Sequence, residues 1–271
     1  MRTQKPKAPG DSDLHAHYEL GVLAQEFGRC RKASAEYKKE IARTDYYKAH
    51  YNLGTVLEQQ RRYAEAIKEF KKVIQRRPAF YLAYNYLGLI YVELKQYADA
   101  IKAYSRAIQL NKRDPIPICN LGLAYDKSGQ YRKAIAAFRK ALTLAPRHLD
   151  ALKDLGDLLI CEGISVMEGL KLLQKAKRIA PDDPEVLACL AVGYLKQGRQ
   201  AQATKFALRA QELAHNNRFA LERVRMVERD AFLGERRKVK GLEKSRGRKR
   251  GQSPFPGGCF RGRPRGRKVV W

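Results

Sequence analysis

Five Leu-Gly pairs recur along the chain at nearly constant spacing. They are Leu20-Gly21, Leu53-Gly54, Leu87-Gly88, Leu121-Gly122 and Leu155-Gly156, and Leu190-Ala191 continues the series. The glycines, with Ala191 taken as the last member, are 33, 34, 34, 34 and 35 residues apart. A fixed period of this length is typical of repeat architectures, in which each unit supplies one supersecondary motif and stacks on its neighbours to bury a core. Function is therefore expected to lie on an extended surface.

The first four units share two further positions relative to the glycine. An alanine lies twelve residues after it and an aromatic residue sixteen after it, as in Ala33/Tyr37, Ala66/Phe70, Ala100/Tyr104 and Ala134/Phe138. The pattern resembles the tetratricopeptide repeat, a unit of helix, turn and helix. The resemblance covers residues 14–217 as six tandem repeats and implies an all-α fold, a right-handed solenoid of antiparallel helix pairs. The fifth unit lacks the aromatic residue, so we expect its second helix to pack less regularly.

Changes of composition divide the rest of the chain. Residues 1–13 are expected to form a flexible segment, and residues 218–234 an amphipathic helix that caps the open end of the solenoid. The apolar stripe of that helix consists of Ala220, Val224, Val227 and Ala231. Residues 235–271 hold fourteen Lys and Arg against two Glu, with Gly and Pro interspersed, which predicts a disordered basic tail.

Several functional classes find no support in the sequence. The five cysteines, Cys30, Cys119, Cys161, Cys189 and Cys259, are scattered and form none of the close pairs that zinc or redox motifs require. No phosphate-binding loop or nucleophile elbow is present. We therefore predict a non-catalytic protein with no metal site and no cofactor. The N-terminus lacks the apolar core of a secretory signal and no apolar run is long enough for a membrane span, which predicts a cytoplasmic location without membrane contact.

The resemblance also implies where a partner binds, because in this family the first helix of each repeat lines a concave surface. The family's facing positions fall on three kinds of side chain here: a polar and aromatic end, a mainly apolar middle with amides, and an acidic end. We predict a peptide groove formed by Tyr18, Lys48, Tyr51, Asn52, Asn85, Tyr86, Leu89, Asn120, Leu123, Asp150, Asp154 and Asp157.

The acidic end has two interpretations. Asp150, Asp154 and Asp157 share one helical face, where like charges repel by a few tenths of a kcal/mol per pair. In the simpler interpretation they are solvated and balanced by Lys153 and nearby arginines. In the other, they select a partner segment that carries basic residues beside apolar anchors, in a chain whose own net charge is +27. Amides suit such a groove, because they bind a backbone N–H and C=O at once.

The basic tail contains a short motif of its own. The run from Arg261 to Pro264 reproduces the Arg-Gly-Arg-Pro core of the AT-hook, a minor-groove element. Candidate nucleic-acid contacts are therefore Arg261, Arg263, Arg265, Arg267 and Lys268. There are three alternatives to an AT-hook. The tail contacts DNA or RNA by general electrostatic attraction, it occupies the acidic end of the groove, or it only solubilises the protein and has no partner.

These observations favour a non-catalytic adaptor or scaffold that binds a protein segment in its concave groove. One alternative is an accessory nucleic-acid-associated factor that uses the basic tail. Another is a regulatory subunit that docks on an enzyme. The sequence leaves the identity of the partner and self-association of the array open.

Overall fold

The computed structural model describes residues 15–215 and 217–229, and these residues form helices and turns with no strand among them. The predicted all-α solenoid of antiparallel helix pairs is confirmed. The predicted flexible segment 1–13 and the basic tail 235–271, with its AT-hook-like arginines and Cys259, lie outside the described residues.

Six helix pairs follow one another, one pair for each repeat. The odd-numbered helices open the repeats and the even-numbered helices close them, and residues 218–229 form a further helix, α13. The bounds are α1 Ala16–Glu26, α2 Cys30–Thr44, α3 Tyr47–Gln59, α4 Tyr63–Arg76, α5 Tyr81–Glu93, α6 Tyr97–Leu110, α7 Pro115–Lys127, α8 Tyr131–Leu144, α9 Leu149–Cys161, α10 Val166–Ile179, α11 Pro184–Lys196 and α12 Gln200–Ala214.

The recurring glycine and the aromatic residue sixteen positions later are partners within each repeat. A Cβ added to Gly88 would lie 2.6 Å from the ring of Tyr104, and one added to Gly54 would lie 2.9 Å from the ring of Phe70. Phe70 is completely buried, and Tyr104 nearly so. The glycine lets the ring lie directly on the backbone of the first helix, and burying a ring this fully contributes about 2 to 3 kcal/mol. The same contact occurs in each of the first four repeats, which explains why the glycine and the aromatic residue recur at a fixed spacing.

The fifth repeat solves the same packing problem with different residues. Leu173 is fully buried against Gly156, and the backbone of α9 also approaches Gly169 on α10 closely. Helix α10 runs unbroken from Val166 to Ile179 and packs on α9 as fully as its counterparts pack in other repeats. The expectation of less regular packing was therefore wrong, because a second glycine brings the two backbones together where the ring is missing.

Local signals fix the helix ends. Asp114 and Asp183 accept hydrogen bonds from backbone N–H groups at the starts of α7 and α11, each followed by proline at the first helical position. The turn inside each repeat requires a left-handed residue seven positions after the recurring glycine. Gly129 meets this requirement with φ 75°, whereas Lys95 adopts φ 59° at the equivalent place in the third repeat.

The stacking of the repeats gives the array two faces. Successive odd-numbered helices pack against one another from repeat to repeat, and no pair of successive even-numbered helices makes comparable contacts within the described residues. The odd-numbered helices therefore line the concave side, called the inner face below, and the even-numbered helices form the outer face. At the end of the array, Ala220, Val224 and Val227 of α13 are buried in the core around α11 and α12.

Candidate functional site

The inner face begins with a cluster of aromatic side chains. The rings of Tyr51 and Tyr86 meet edge to face with centroids 5.6 Å apart, and Tyr86 stacks on Phe70 at 5.3 Å. Tyr18 lies 6.1 Å from Tyr37, and burial raises the pKa of Tyr37 to about 12. The hydroxyl of Tyr37 therefore remains protonated near neutral pH. The surface of the cluster is apolar with hydroxyl groups at the edge, which suits an apolar or aromatic side chain of a partner.

Lys48 lies at the edge of this aromatic cluster. Its side chain is exposed, and its ammonium lies 5.9 Å from the centroid of the Tyr46 ring. The cation therefore lies near the Tyr46 ring and stays accessible to solvent.

Three amides continue the inner face. Asn52 Nδ2 donates to Tyr37 Oη at 3.3 Å and to Tyr18 Oη at 3.4 Å. Asn120 Nδ2 donates to the Oδ1 of buried Asn85 at 3.1 Å. The amides thus join neighbouring repeats through the groove surface, and hydrogen bonds occupy one polar atom of each amide. We find no partner for Asn52 Oδ1 or Asn120 Oδ1 within the described residues.

The three predicted aspartates have very different surroundings. Asp150 is 64% exposed and lies 3.7 Å from the Nζ of Lys153, which itself lies 2.5 Å from Glu185 Oε2. Asp157 is 16% exposed and accepts a hydrogen bond of 2.6 Å from Arg223 of α13. Within residues 15–215 and 217–229, Asp154 has neither an ion-pair nor a hydrogen-bond partner, although it lies between the other two.

This isolation affects the protonation of Asp154. Burial raises the pKa of its carboxyl to about 7; Lys153 opposes the shift, and Asp150 adds to it. Burial also raises the pKa of Asp126, on α7. Among the described residues, these two carboxyl groups on neighbouring inner helices have no cation within ion-pair distance, and nearby cations offset their desolvation only in part, which is costly for the charged form.

Asp126 and Asp154 open into one cavity at the C-terminal end of the inner face. Its volume is about 330 Å³, and its walls include Leu123, Asp126, Asp154, Asp157, Phe219 and Arg223. The guanidinium of Arg223 also lies 5.1 Å from the centroid of the Phe219 ring. Lys127 also lines the cavity, so the wall combines apolar side chains and carboxylates with two cations of the chain itself. The apolar surface beside the carboxylates suits a long side chain with an apolar stem and a cationic end.

Sequence reasoning located the aspartates but missed Arg223. This arginine lies on α13, 66 residues after Asp157, and no local pattern connects the two. The only available signal was its place in an amphipathic helix next to the last repeat.

Leu89 and Leu123 are half-buried on the inner helices, and Leu123 belongs to the cavity wall.

Within the described parts of the chain, no three His, Cys, Asp or Glu side chains form a group suited to a metal ion. Cys30, Cys119, Cys161 and Cys189 are free thiols. None of the described helices combines the length and apolar character needed to cross a membrane.

Models described as tetratricopeptide repeat match residues 18–79 and 118–148, and one described as TPR repeat matches residues 88–129. No curated protein sequence matches the chain.

Among solved structures, the pilF protein of Pseudomonas aeruginosa is 18% identical with a TM-score of 0.70, and the match covers 82% of this chain and 100% of pilF. A chain of the APC/C hetero-tetramer Cut9-Hcn1 is 15% identical with a TM-score of 0.69 over 79% of this chain, which spans only 42% of that longer protein. YrrB, described as a TPR protein with an unusual peptide-binding site, is 19% identical with a TM-score of 0.52, covering 69% of this chain and 96% of YrrB. At such identities the likeness concerns the fold.

Proposed function

The chain belongs to the tetratricopeptide repeat family, and we propose that it binds a segment of a partner protein along its inner face. Repeats of this family indicate a protein–protein interaction scaffold. The finer proposal concerns what the segment contains: a Lys or Arg that pairs with Asp154, close to apolar or aromatic side chains. YrrB, with the same fold, is described as having a peptide-binding site.

The carboxyl of Asp154, which has no ion-pair or hydrogen-bond partner among the described residues, carries this proposal. Its neighbours Asp150 and Asp157 each have a cation within the chain, at 3.7 Å and 2.6 Å. Asp154 is more strongly desolvated than an exposed carboxyl, as its raised pKa reflects, and it faces an open cavity. A cation from outside the chain would stabilise its charged form and so recover part of the desolvation cost.

The remaining groove residues supply the other contacts in this proposal. The aromatic cluster around Tyr51 and Tyr86 receives apolar side chains, because edge-to-face rings leave flat apolar surface at their rim. The side-chain carbonyl oxygens of Asn52 and Asn120, which have no partner among the described residues, accept hydrogen bonds from the backbone of the segment. Apolar contacts would provide affinity, and the carboxylate would fix the register of the bound segment.

A peptide-display selection tests this specificity. Random peptides are selected on the full chain and on the variants Asp154→Asn and Asp99→Asn, the latter an equal chemical change on the exposed surface of α6. We expect Lys or Arg at a fixed distance from apolar residues in peptides selected by the wild type and by Asp99→Asn. The basic position should disappear with Asp154→Asn. The same consensus from all three proteins would refute the role of Asp154.

The affinity of such a peptide should also depend on pH. With a pKa of about 7, the charged fraction of Asp154 rises about tenfold between pH 6 and pH 8, and affinity for a basic peptide should rise with it. Fluorescence anisotropy with the most enriched peptide measures this dependence. In Asp154→Asn the dependence should be flat over this range, and an unchanged slope would contradict the assignment.

Other predictions from the sequence stay predictions. The absence of catalysis, the cytoplasmic location, docking on an enzyme and self-association are not tested by the fold. Contact between the tail and nucleic acid, or between the tail and the groove, involves residues 235–271, which lie outside the described residues.

A further inference from the structure

The two faces of the array differ sharply in charge. The even-numbered helices, on the outer face, carry 21 Lys and Arg against seven Asp and Glu. The odd-numbered helices, on the inner face, carry four Lys and Arg against nine Asp and Glu. Since the two sets contain similar numbers of residues, the difference reflects where the charges are placed and not merely the basic composition of the chain.

Most of the outer cations have no carboxylate partner among the described residues, although Lys133 donates a hydrogen bond to Gln130 Oε1 and lies 5.5 Å from the centroid of the Tyr125 ring. All but Lys72 and Lys177 of the 21 are exposed, and six of them have a carboxylate within 4.0 Å: Lys39, Lys72, Arg76, Lys102, Arg139 and Arg209. The other fifteen have none among the described residues. Net positive charge on this face is therefore available to a ligand.

The centre of the outer face is its most uniform part. Helix α8 carries Arg132, Lys133, Arg139 and Lys140 and no acidic residue, and α10 carries four cations against Glu168 alone. Lys133 and Lys140 are seven residues apart, so they lie on one side of α8, about 10 Å from each other along the helix axis. Such a row of exposed, separated cations matches a ligand that carries repeated negative charges.

We propose that the outer face binds nucleic acid through the phosphodiester backbone, independently of the inner groove. The affinity of nucleic-acid contacts derives largely from phosphate neutralisation and counterion release, for which exposed lysines and arginines suffice. A flat anionic bilayer would touch only part of a convex surface, whereas a nucleic acid can follow it across several helices. An acidic peptide would instead need apolar anchor sites at its point of contact.

One feature of the outer face does suit a peptide, so the test must include one. A cavity of about 390 Å³ between α6 and α8 is lined by apolar side chains, among them Ile108, Leu121 and Tyr125, with Lys133 and Lys140 in its wall. An acidic amphipathic peptide is the natural competitor for this cavity.

Matched double variants of the full chain separate the faces. Lys133→Gln with Lys140→Gln removes two outer charges, and Lys48→Gln with Lys127→Gln removes two exposed charges from odd-numbered helices. Binding of fluorescent single-stranded RNA and duplex DNA is measured by anisotropy at several salt concentrations, with the tail intact in every protein. Comparing the affinities for single-stranded RNA and duplex DNA shows which of the two the protein prefers.

We expect the outer double variant to bind about tenfold more weakly at 0.1 M salt, with the slope of log affinity against log salt smaller by about 1.5. The inner double variant should stay within about twofold of the wild type. Equal losses of nucleic-acid affinity in both variants would mean that only the net charge of the protein matters. No loss of affinity in either variant would mean that the tail is the source of binding. Each of these results overturns the proposal. Preferential binding of the outer face to phosphatidylserine vesicles or to an acidic amphipathic peptide over nucleic acid would also overturn it.

Discussion

Replacing Asp154 with asparagine should make the protein more stable, and more so at higher pH. The folded-state pKa of this carboxyl is about 7, against an ordinary value of 3.8 for aspartate. A carboxyl whose pKa is raised by folding favours the folded state below its unfolded pKa, and this advantage is lost as the pH rises through the folded value. Asparagine has a similar shape and never ionises, so the variant does not lose stability in this window.

The two pKa values set the size of the effect. If asparagine reproduces the neutral acid, linkage makes the variant more stable than the wild type by about 2 kcal/mol at pH 5 and about 4 kcal/mol at pH 8. The difference between these values, about 2 to 3 kcal/mol, depends only on the titration of Asp154. Other carboxyls with shifted pKa values, such as Asp126, contribute equally to both proteins.

Urea unfolding followed by circular dichroism at pH 5 and pH 8 measures this difference. Asp99→Asn, on the exposed surface of α6, should change the free energy of unfolding by less than about 0.5 kcal/mol at either pH. If Asp154→Asn gave the same change in stability at both pH values, the carboxyl would be ionising normally. The argument for an uncompensated charge in the groove would then fail.

Three further substitutions test the fold by thermal and urea unfolding. Gly88→Ala should cost about 1 to 3 kcal/mol, because its Cβ would lie 2.6 Å from Tyr104, and a smaller residue at 104 should reduce that cost. Lys95→Gly should stabilise by about 0.5 to 1 kcal/mol, because it removes a Cβ from a left-handed position with φ 59°. Arg223→Ala should cost about 1 to 3 kcal/mol by leaving a partly buried carboxylate without its cation, whereas Arg218→Ala, from an exposed pair, should cost under about 0.5 kcal/mol. A larger loss of stability in Arg218→Ala than in Arg223→Ala would contradict the role of the Arg223–Asp157 pair. Unchanged stability in Gly88→Ala would contradict the close contact with Tyr104, and a loss of stability in Lys95→Gly would contradict backbone strain at residue 95.

The repeat pattern made the fold predictable because its key contact is local. The glycine and its aromatic partner are sixteen residues apart, which places them on the two helices of one repeat, and the structure shows them in contact, as at Gly88 and Tyr104. The resemblance to the tetratricopeptide repeat, in turn, implied which helices line the inner face. The packing of the fifth repeat was predicted wrongly because Gly169 and Leu173 fill the space that the ring fills in the other repeats. This combination occurs in only one repeat, so it forms no recurring sequence pattern.

The surroundings of the acidic residues were not predictable from local pattern. Asp150, Asp154 and Asp157 look equivalent in sequence, since all three lie on one face of α9. Their different surroundings arise from Lys153 and from Arg223, which reaches Asp157 from the last helix of the array. A contact 66 residues apart in the chain depends on how the repeats stack. The charge difference between the faces, in contrast, can be counted from the sequence once the helix pairs are assigned.

The expected gain in stability and the proposed binding specificity have one physical origin. If a charged Asp154 destabilises the free protein near neutral pH, a ligand cation in the cavity restores the charged form by lowering the pKa of that carboxyl. Binding should then release a proton when the pH lies below about 7. Asparagine at this position should give a more stable protein that has lost the basic specificity, a combination that a purely structural aspartate does not produce. Measuring stability and peptide selection on the same variant therefore separates a functional Asp154 from one that is only poorly solvated.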